Sequence, residues 1–220
     1  MADFLAYHLV EALSRSGCAL CRVVAADEGR WMESFRREGR RGREARLAFY
    51  EGGGSCRRHA WLLHRLAAAA GSGAAIADVY GALAVRDLHV LDELLASRRR
   101  PRLGRRAPCA ACTAAAEARA RKASFLLELL RTETARVRYR ESDGLCFAHL
   151  VRVVEEAREQ DAEVVRFLLR DWRDRLTEVR AQLEEFDRKR DVHYAHEPKG
   201  AEQDSWTEVI RRYVGEDIPA

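Results

Sequence analysis

The chain has 220 residues, of which 47% are hydrophobic and 34% are charged, and its formal net charge is +4. These values are typical of a soluble globular protein with one large domain or two small ones. The first residues carry no basic stretch, which argues against a secretory signal. The most apolar small-residue run, 67–77, is interrupted by glycines and is too short for a membrane span. We therefore expect a cytoplasmic protein without a membrane partner.

Apolar residues recur at helical spacing through most of the chain, and the alternating runs typical of β-strands are absent. In chain order the pattern predicts a helix from residue 3 to a stop at Gly17, then helices over about 18–37, 47–50, 55–70 and 74–97. Further helices are predicted over about 109–130, 145–154 and 161–189. Ser205-Trp-Thr-Glu208 predicts a capping box that opens a last helix. The sequence thus predicts an all-α fold.

The predicted helix over 74–97 carries an apolar stripe that we expect to face the core, formed by Ile76, Val79, Tyr80, Leu83, Leu88, Leu91, Leu94 and Leu95. The next segment, 98–108, contains two prolines, a glycine and no apolar period, and is interpreted as a linker. Its six arginines are Arg98, Arg99, Arg100, Arg102, Arg105 and Arg106. Arginines of this kind bind phosphates, but no aromatic residues are interleaved to stack on bases, so nucleic-acid binding is only weakly supported.

All six cysteines belong to a doubled motif. Cys18-Ala-Leu-Cys21 is followed by Cys56-Arg-Arg-His59, and Cys109-Ala-Ala-Cys112 is followed by Cys146-Phe-Ala-His149. Corresponding cysteines and histidines are 90 or 91 positions apart, and a glycine (Gly54, Gly144) precedes each Cys-x-x-His by two residues. This shared offset predicts an internal duplication.

Three thiolates and one imidazole form a ligand set typical of zinc. Taking the ligands copy by copy, we expect one site formed by Cys18, Cys21, Cys56 and His59, and a second formed by Cys109, Cys112, Cys146 and His149. Four protein ligands leave no open position for water, so both Zn²⁺ sites are predicted to be structural. An iron–sulfur cluster and paired free thiols remain alternatives. Arg22 and Thr113 follow the Cys-x-x-Cys pairs, which excludes covalent haem because that motif requires histidine.

These patterns together predict a duplicated helical bundle in which each half is clamped by a Cys₃His metal site. The expected divisions are a first repeat with the N-terminal helix at 1–97, a basic linker at 98–108, a second repeat at 109–190 and a C-terminal loop and helix at 191–220. The last segment has no counterpart in the first repeat.

Other side chains with chemical potential are weaker candidates. Asp191, His193, His196 and Glu197 lie within seven residues and form the best non-cysteine cluster, although a polar loop is the simpler interpretation. Further histidines that are interpreted as surface or packed residues are His8 (beside Tyr7), His64 and His89. No phosphate-binding glycine loop and no nucleophile-elbow motif occurs, so the sequence favours a non-enzymatic protein.

The chain resembles an uncharacterised family of small bacterial proteins that is catalogued only as a domain of unknown function. The residues that carry the resemblance are Tyr7-His8-Leu9, Cys18-Ala-Leu-Cys21, Gly54-Ser-Cys-Arg-Arg-His59, and the tail segments 186–191, 197–200 and 204–206. The chain departs from that pattern at Ala19, where proline is common, and at 192–194, where a more aromatic and basic stretch is usual. The resemblance implies a bacterial source and no particular activity.

We therefore expect a zinc-binding, non-enzymatic protein that serves as an interaction or regulatory module. An unknown protein partner is expected to bind the C-terminal loop and last helix. The alternatives are a redox-responsive zinc-thiolate or iron–sulfur sensor, an enzyme that uses the 191–197 cluster or Tyr7 and His8, and a nucleic-acid-binding protein.

Overall fold

The computed structural model describes residues 2–38, 43–96, 107–194 and 196–216. Within these ranges the chain forms α-helices and no β-strand, as the sequence predicts. The helices are α1 (Ala2–Leu13), α2 (Ala19–Glu38), α3 (Arg43–Glu51), α4 (Arg57–Ala69), α5 (Ala74–Ala96), α6 (Ala110–Leu129), α7 (Glu133–Glu141), α8 (Phe147–Glu156), α9 (Ala162–Arg188) and α10 (Ser205–Val214). Short 3₁₀ turns at Glu159–Asp161 and Ala201–Asp204 precede α9 and α10. Of the eleven residues of the predicted linker, 98–108, nine (98–106) lie outside the described residues, and Ala107 and Pro108 are described.

The predicted capping box at the start of α10 is wrong. The hydroxyl of Ser205 donates to the carbonyl oxygen of Glu202 at 2.7 Å, so it ties the 3₁₀ turn to the helix instead of accepting from the amide of Glu208. Ser205 is fully buried, and this bond satisfies its hydroxyl. The preceding turn therefore takes the place of a side-chain cap.

The described residues fall into two compact units, which differ from the predicted repeats at 1–97 and 109–190. Unit 1 comprises Met1–Ala25 and Arg119–Pro219, and unit 2 comprises Ala26–Ala118. Both boundaries fall inside helices, because α2 and α6 each contribute their first and second halves to different units.

Unit 1 has a leucine-rich core drawn from α1, α6, α7, α8 and α9 and from the start of α2. Its largest fully buried members include Leu9, Leu20, Leu126, Leu127, Leu130, Tyr139, Leu145, Val153 and Leu168. The buried residues of this core recur every three or four positions along their helices, as Ala123, Leu126 and Leu130 do on α6, and this spacing lines one helical face. Cys18 and Cys146 belong to the same core, so the ligand motifs are part of the packed interior.

Unit 2 has a smaller core that is rich in aromatic residues. Met32 and Phe35 of α2 pack with Phe49, Leu62, Leu63, Val79 and Leu83, together with Cys109 and Ala111. The ring of Phe49 lies 5.5 Å from that of Phe35 and 5.2 Å from that of Tyr80, centroid to centroid. Such offset and edge-to-face pairs add to the stabilisation that burial provides.

The apolar stripe predicted for α5 does not all face the core. Val79 and Leu83 are buried, whereas Leu88, Leu91 and Leu95 are 61%, 43% and 81% exposed. Apolar residues three or four positions apart line one face of a helix, and a helix advances by about 100° per residue. A second apolar face that is rotated by about a third of a circle has the same spacing, so the sequence pattern does not separate the two faces. The stripe is therefore two faces, and only one of them is packed.

None of the helices in the described ranges combines the length with the apolar character needed to cross a lipid bilayer.

Candidate metal centres

Unit 1 brings together one Cys-x-x-Cys motif and one Cys-x-x-His motif from distant parts of the chain. Cys18 directly precedes α2, and Cys21 lies in its first turn. Cys146 is the residue before α8, and His149 lies in the first turn of that helix. A helix start turns side chains three positions apart to the same side, so each motif presents two donor atoms to the same point.

The four donor atoms of the unit 1 cluster converge around the histidine. Nδ1 of His149 lies 3.5 Å from Sγ of Cys18, 3.3 Å from Sγ of Cys21 and 3.2 Å from Sγ of Cys146. The sulfurs of Cys21 and Cys146 are 3.8 Å apart. Cys18, Cys146 and His149 are buried, and Cys21 is half-buried.

Unit 2 contains the complementary set, formed by Cys56, His59, Cys109 and Cys112. Cys56 precedes α4, and Cys109 precedes α6. Nδ1 of His59 lies 3.2 Å from Sγ of Cys56, 3.7 Å from Sγ of Cys109 and 3.4 Å from Sγ of Cys112. Nε2 of His59 is buried and finds no hydrogen-bond partner among the described residues.

Both donor sets fit a single tetrahedral ion. In each cluster the donor atoms all lie within 4.8 Å of one another. A tetrahedron with metal–sulfur bonds of about 2.3 Å and a metal–nitrogen bond of about 2.0 Å has edges of about 3.5–3.8 Å. The sulfur–sulfur separations of 3.8 Å in unit 1 and 3.6 Å in unit 2 match those edges.

The eight predicted ligands are the residues that converge, but the grouping predicted copy by copy is wrong. Cys18 and Cys21 meet Cys146 and His149, whereas Cys56 and His59 meet Cys109 and Cys112. Each cluster therefore takes its Cys-x-x-Cys from one copy of the motif and its Cys-x-x-His from the other.

The two compact units explain the exchange. Leu62 and Leu63 of α4 share a buried core with Met32 and Phe35, so His59 at the start of α4 belongs to unit 2. Cys18 and Cys21 belong to unit 1, together with Cys146 and His149. Sequence spacing does not reveal this, because any Cys-x-x-His is chemically suited to either pair.

In unit 2 the electrostatics allow one stable thiolate without a cation. Burial raises the pKa of Cys109, but the hydrogen bond from His59 and backbone amides overcome that effect and lower it to about 6. Burial, together with Cys56 and Cys109, raises the pKa of Cys112 to about 12. Further thiolates at this distance repel one another, so a bound cation is what would ionise the complete set.

Unit 1 shows the same division of charge. Hydrogen bonds from Cys18 and Cys21 hold the pKa of Cys146 far below its usual value, whereas burial raises that of Cys18. Burial acts to lower the pKa of His149, but the neighbouring Cys146 and Cys21 raise it to about 9. The cluster thus concentrates negative charge on one sulfur and attracts a cation.

The turn before Cys146 is held by Gly144 and Arg175. Gly144 has φ of +72°, a conformation that glycine adopts without strain, and Gly54 occupies the equivalent turn of unit 2 with φ of +96°. Arg175 donates to the carbonyl oxygens of Ser142 at 2.7 Å and Arg140 at 3.0 Å, and it pairs with Asp171 at 2.6 Å. These bonds fix the backbone that leads into the ligand pair.

The C-terminal segment covers the unit 1 cluster. A Cβ atom at Gly215 would lie 2.5 Å from Sγ of Cys21 and 3.3 Å from Sγ of Cys146, so the backbone there touches the sulfurs directly. The next residue, Glu216, lies against Gly17 and pairs with Arg22 at 3.3 Å. In contrast, Cys112 of the unit 2 cluster is exposed. The role of Gly215 has no sequence signal beyond its place in the unduplicated tail.

The other candidate residues are not gathered into a site. His193 is 75% exposed in its side chain and pairs with Asp191 at 3.3 Å, while Glu197 pairs with Arg188. His196, His64 and His89 are exposed. Tyr7 lines an open surface pocket of about 560 Å³, and His8 lies 3.8 Å from Glu11.

Comparison of the chain with protein-family models, with curated proteins and with solved structures finds no match. The geometry of the two clusters is therefore the basis for any functional assignment.

Proposed function

We propose that this chain is a zinc-binding, non-enzymatic helical protein that serves as an interaction or regulatory module. The observation that carries the proposal is the closed donor set of each cluster, in which three sulfurs and one imidazole nitrogen lie within 4.8 Å of one another. Four such ligands complete a tetrahedron around Zn²⁺ and leave no position for a reacting water. Each ion then cross-links the N-terminal ends of two helices.

The donor spacing favours zinc over the alternative iron–sulfur cluster. Cysteines on a multi-iron cluster bind different irons that are bridged by sulfide, so their sulfurs are held further apart than ligands of one ion. The separations of 3.8 Å between Cys21 and Cys146 and 3.6 Å between Cys56 and Cys112 suit a single ion. Among single ions, Zn²⁺ is the usual occupant of a tetrahedral site with three thiolates.

An internal duplication accounts for the matched pair of sites, and equivalent contacts outside the ligands support it. Arg86 donates to the carbonyl oxygen of Tyr50 in unit 2, and Arg175 donates to that of Tyr139 in unit 1. Arg86 and Arg175 are 89 positions apart, and so are Tyr50 and Tyr139. This offset is close to the 90 or 91 positions that separate corresponding ligands of the two copies. We also propose that the chain is a member of the uncharacterised bacterial family that it resembles.

The C-terminal segment is the proposed working surface in unit 1. The ring of Tyr213 lies 5.9 Å from that of Phe147 and 6.0 Å from that of Trp172, and Tyr213 and Phe147 are 45% and 42% exposed. Trp206 and Ile210 are exposed on the same helix. Exposed aromatic residues of this kind are enriched where proteins bind one another.

The metal assignment is tested by elemental analysis and an optical spectrum of the purified chain. We expect two zinc ions per chain and no visible absorption, and a brown iron-containing protein would overturn the assignment. Binding at a structural zinc site contributes on the order of 10 kcal/mol, comparable to the stability of a whole domain. Strong chelation is therefore expected to abolish the cooperative unfolding transition in far-UV circular dichroism, and an unchanged melt would contradict a structural role.

A redox response is the second candidate, favoured by the exposure of Cys112 and its 3.6 Å separation from Sγ of Cys56. Peroxide would convert two thiolates and two protons into a disulfide and two waters, and zinc would be released. Low peroxide is expected to release one zinc ion per chain, from unit 2, with recovery after thiol and zinc are added. Release of both ions at the same rate would contradict this selectivity.

Nucleic-acid binding and cytoplasmic location remain predictions. The arginine run at 98–106 lies outside the described residues. Electrostatic binding to phosphates would weaken steeply as salt is raised, so retention on nucleic acid in a salt series tests the first prediction. Reduced, metal-binding cysteines are typical of a reducing compartment, and this supports the second.

A further inference from the structure

Helix α5 carries a second apolar face that no described residue covers. We call this face the α5 seam. Every one of its members is exposed, and they are Ala77, Gly81, Ala84, Leu88, Leu91 and Leu95. The seam is separate from the face that packs into unit 2, which includes Val79 and Leu83. Large exposed apolar side chains in a continuous row mark a place where another surface binds.

The spacing of the α5 seam is that of a helix-pairing surface. Its members follow one another at intervals of four, three, four, three and four residues. This alternation is the heptad pattern that keeps one side of a helix against a neighbouring helix. At 1.5 Å per residue the seam is about 27 Å long, enough for a partner helix of nearly three heptads.

The equivalent positions of α9 are polar. The bonds from Arg86 to Tyr50 and from Arg175 to Tyr139 set the register of the two helices at 89 positions. In that register Leu88, Leu91 and Leu95 correspond to Thr177, Arg180 and Glu184, all of them exposed. A solvent-facing helix in this fold therefore does not need leucine at these positions. We infer that the leucines of α5 serve binding and not folding.

The borders of the α5 seam are acidic. Asp92 lies on one side of the heptad row and Asp87 on the other. Asp87 pairs with Arg86 at 2.7 Å, and Glu93 lies 3.4 Å from His89. With that arginine counted, the four acidic residues of α5 give the helix a formal charge of −3, whereas the whole chain carries +4. Residues that flank a heptad row pair with opposite charges on the partner helix.

We propose that the α5 seam binds a partner protein through a basic amphipathic helix. The partner helix presents apolar residues to the seam and lysine or arginine to its acidic borders. Ala77, Gly81 and Ala84 allow that helix to approach closely at one end, where its own large side chains fill the space. This proposal rests on the proposed function as an interaction module and supplies the chemical class of a partner.

A second copy of the chain fits the α5 seam less well. In either orientation, pairing of two copies of α5 brings together two helices that each carry a formal charge of −3. Like charges that flank a helix pair oppose its formation, so electrostatics favours a basic partner over self-association.

The test uses the zinc-loaded chain of 220 residues and two synthetic peptides of three heptads. Both peptides have leucine at the two apolar positions, and one has lysine and the other glutamate at the flanking positions. Repulsion between lysines keeps the first peptide from pairing with itself. By fluorescence anisotropy we expect it to bind with a micromolar dissociation constant that rises with salt, and the glutamate peptide to bind at least about tenfold more weakly.

Two variants locate the binding. Leu88→Ser with Leu95→Ser is expected to weaken binding of the lysine peptide at least about tenfold, because two apolar contacts are lost. The matched control, Val137→Ser with Val192→Ser, changes exposed apolar residues in unit 1 and is expected to bind as the wild type does. Asp92→Lys is expected to weaken binding and reduce its salt dependence.

Several outcomes would overturn the assignment. These are the absence of binding at about 100 μM peptide, a concentration well above the micromolar range, equal binding by the serine variant, and a wild-type dimer in sedimentation that the serine variant dissociates. Zinc is measured in the same samples. Two zinc ions with no peptide binding would refute only the partner, whereas peptide binding by a chain without zinc would refute only the metal assignment.

Discussion

Sγ of Cys18 lies 3.5 Å from Nδ1 of His149, although 131 positions separate the two residues in the chain. The nearer Cys-x-x-His, at Cys56 and His59, belongs to the other cluster. Each half-site is therefore completed by the other copy of the motif. The exchange makes folding of either cluster depend on a long-range contact, which local helix formation does not supply.

The exchange of half-sites predicts the zinc content of double variants. Cys18→Ser and Cys56→Ser are each expected to leave one zinc ion per chain. Because Cys18 and Cys146 share a cluster, Cys18→Ser with Cys146→Ser is expected to retain one ion, whereas Cys18→Ser with Cys56→Ser is expected to retain none. Elemental analysis of the purified variants distinguishes the two groupings. Retention of one ion by the Cys18/Cys56 pair, with none in the Cys18/Cys146 pair, would support the copy-by-copy arrangement.

The contact between Gly215 and the unit 1 sulfurs predicts a selective loss of metal affinity. Gly215→Ala places a Cβ atom 2.5 Å from Sγ of Cys21 and requires alanine to adopt φ of +81°. Relief of both strains displaces the tail, and we expect zinc affinity of one site to fall on the order of tenfold, about 1.4 kcal/mol. Chelator competition measures this as one weakened site and one unchanged site.

Gly73→Ala is the matched control for that measurement. No atom lies within 4 Å of a Cβ placed there, so this variant is expected to keep the affinity of both sites. Equal weakening of both sites by Gly215→Ala would show that the tail does not act on the unit 1 cluster alone.

Arg175 is predicted to contribute more to stability than its counterpart Arg86. Its side chain is 16% exposed and bonds to backbone carbonyls before Cys146 as well as to Asp171. Arg175→Met leaves those groups unsatisfied, and we expect a loss of about 2–4 kcal/mol in the free energy of unfolding. Arg86 is 44% exposed, so Arg86→Met is expected to cost less than about 1 kcal/mol. Urea unfolding of the zinc-loaded variants measures both, and equal losses would contradict the difference.

The contacts of Glu202 predict that stabilisation of the C-terminal segment depends on pH. The backbone amide of Gly200, at 2.8 Å, and then Lys189, at 3.0 Å, lower the pKa of this carboxyl from 4.5 to about 2. The folded pKa lies below the unfolded value, so the stabilisation is present above about pH 4.5 and is lost as the pH falls towards about 2.

Glu202→Gln removes that contribution at neutral pH. The melting temperature of the variant is expected to lie below that of the wild type at pH 7, and the difference is expected to shrink as both are acidified. Comparing the two proteins at each pH cancels the loss of zinc that acid causes in both. A difference that stays constant through the acid range would show that the carboxylate charge is not responsible.

The amino-acid sequence is by itself enough to predict the helices and to identify the eight residues that cluster. Periodic apolar residues specify α-helices locally, and Cys-x-x-Cys or Cys-x-x-His at a helix start brings two donor atoms together within a single turn. These are short-range properties, so α2, α4, α6 and α8 begin at or directly after their cysteines, as predicted. Burial of Val79 and Leu83 on α5 follows from the same kind of pattern.

The tertiary structure decided which half-sites meet and which surfaces stay open. All four half-sites have compatible chemistry, and only the packing within each unit places Cys21 with His149 and His59 with Cys109 and Cys112. Likewise, the periodicity of α5 is the same for a packed face and an exposed one, and only the arrangement of neighbouring helices leaves Leu88 and Leu95 uncovered. Long-range packing depends on many weak contacts at once, and for that reason no local motif encodes it.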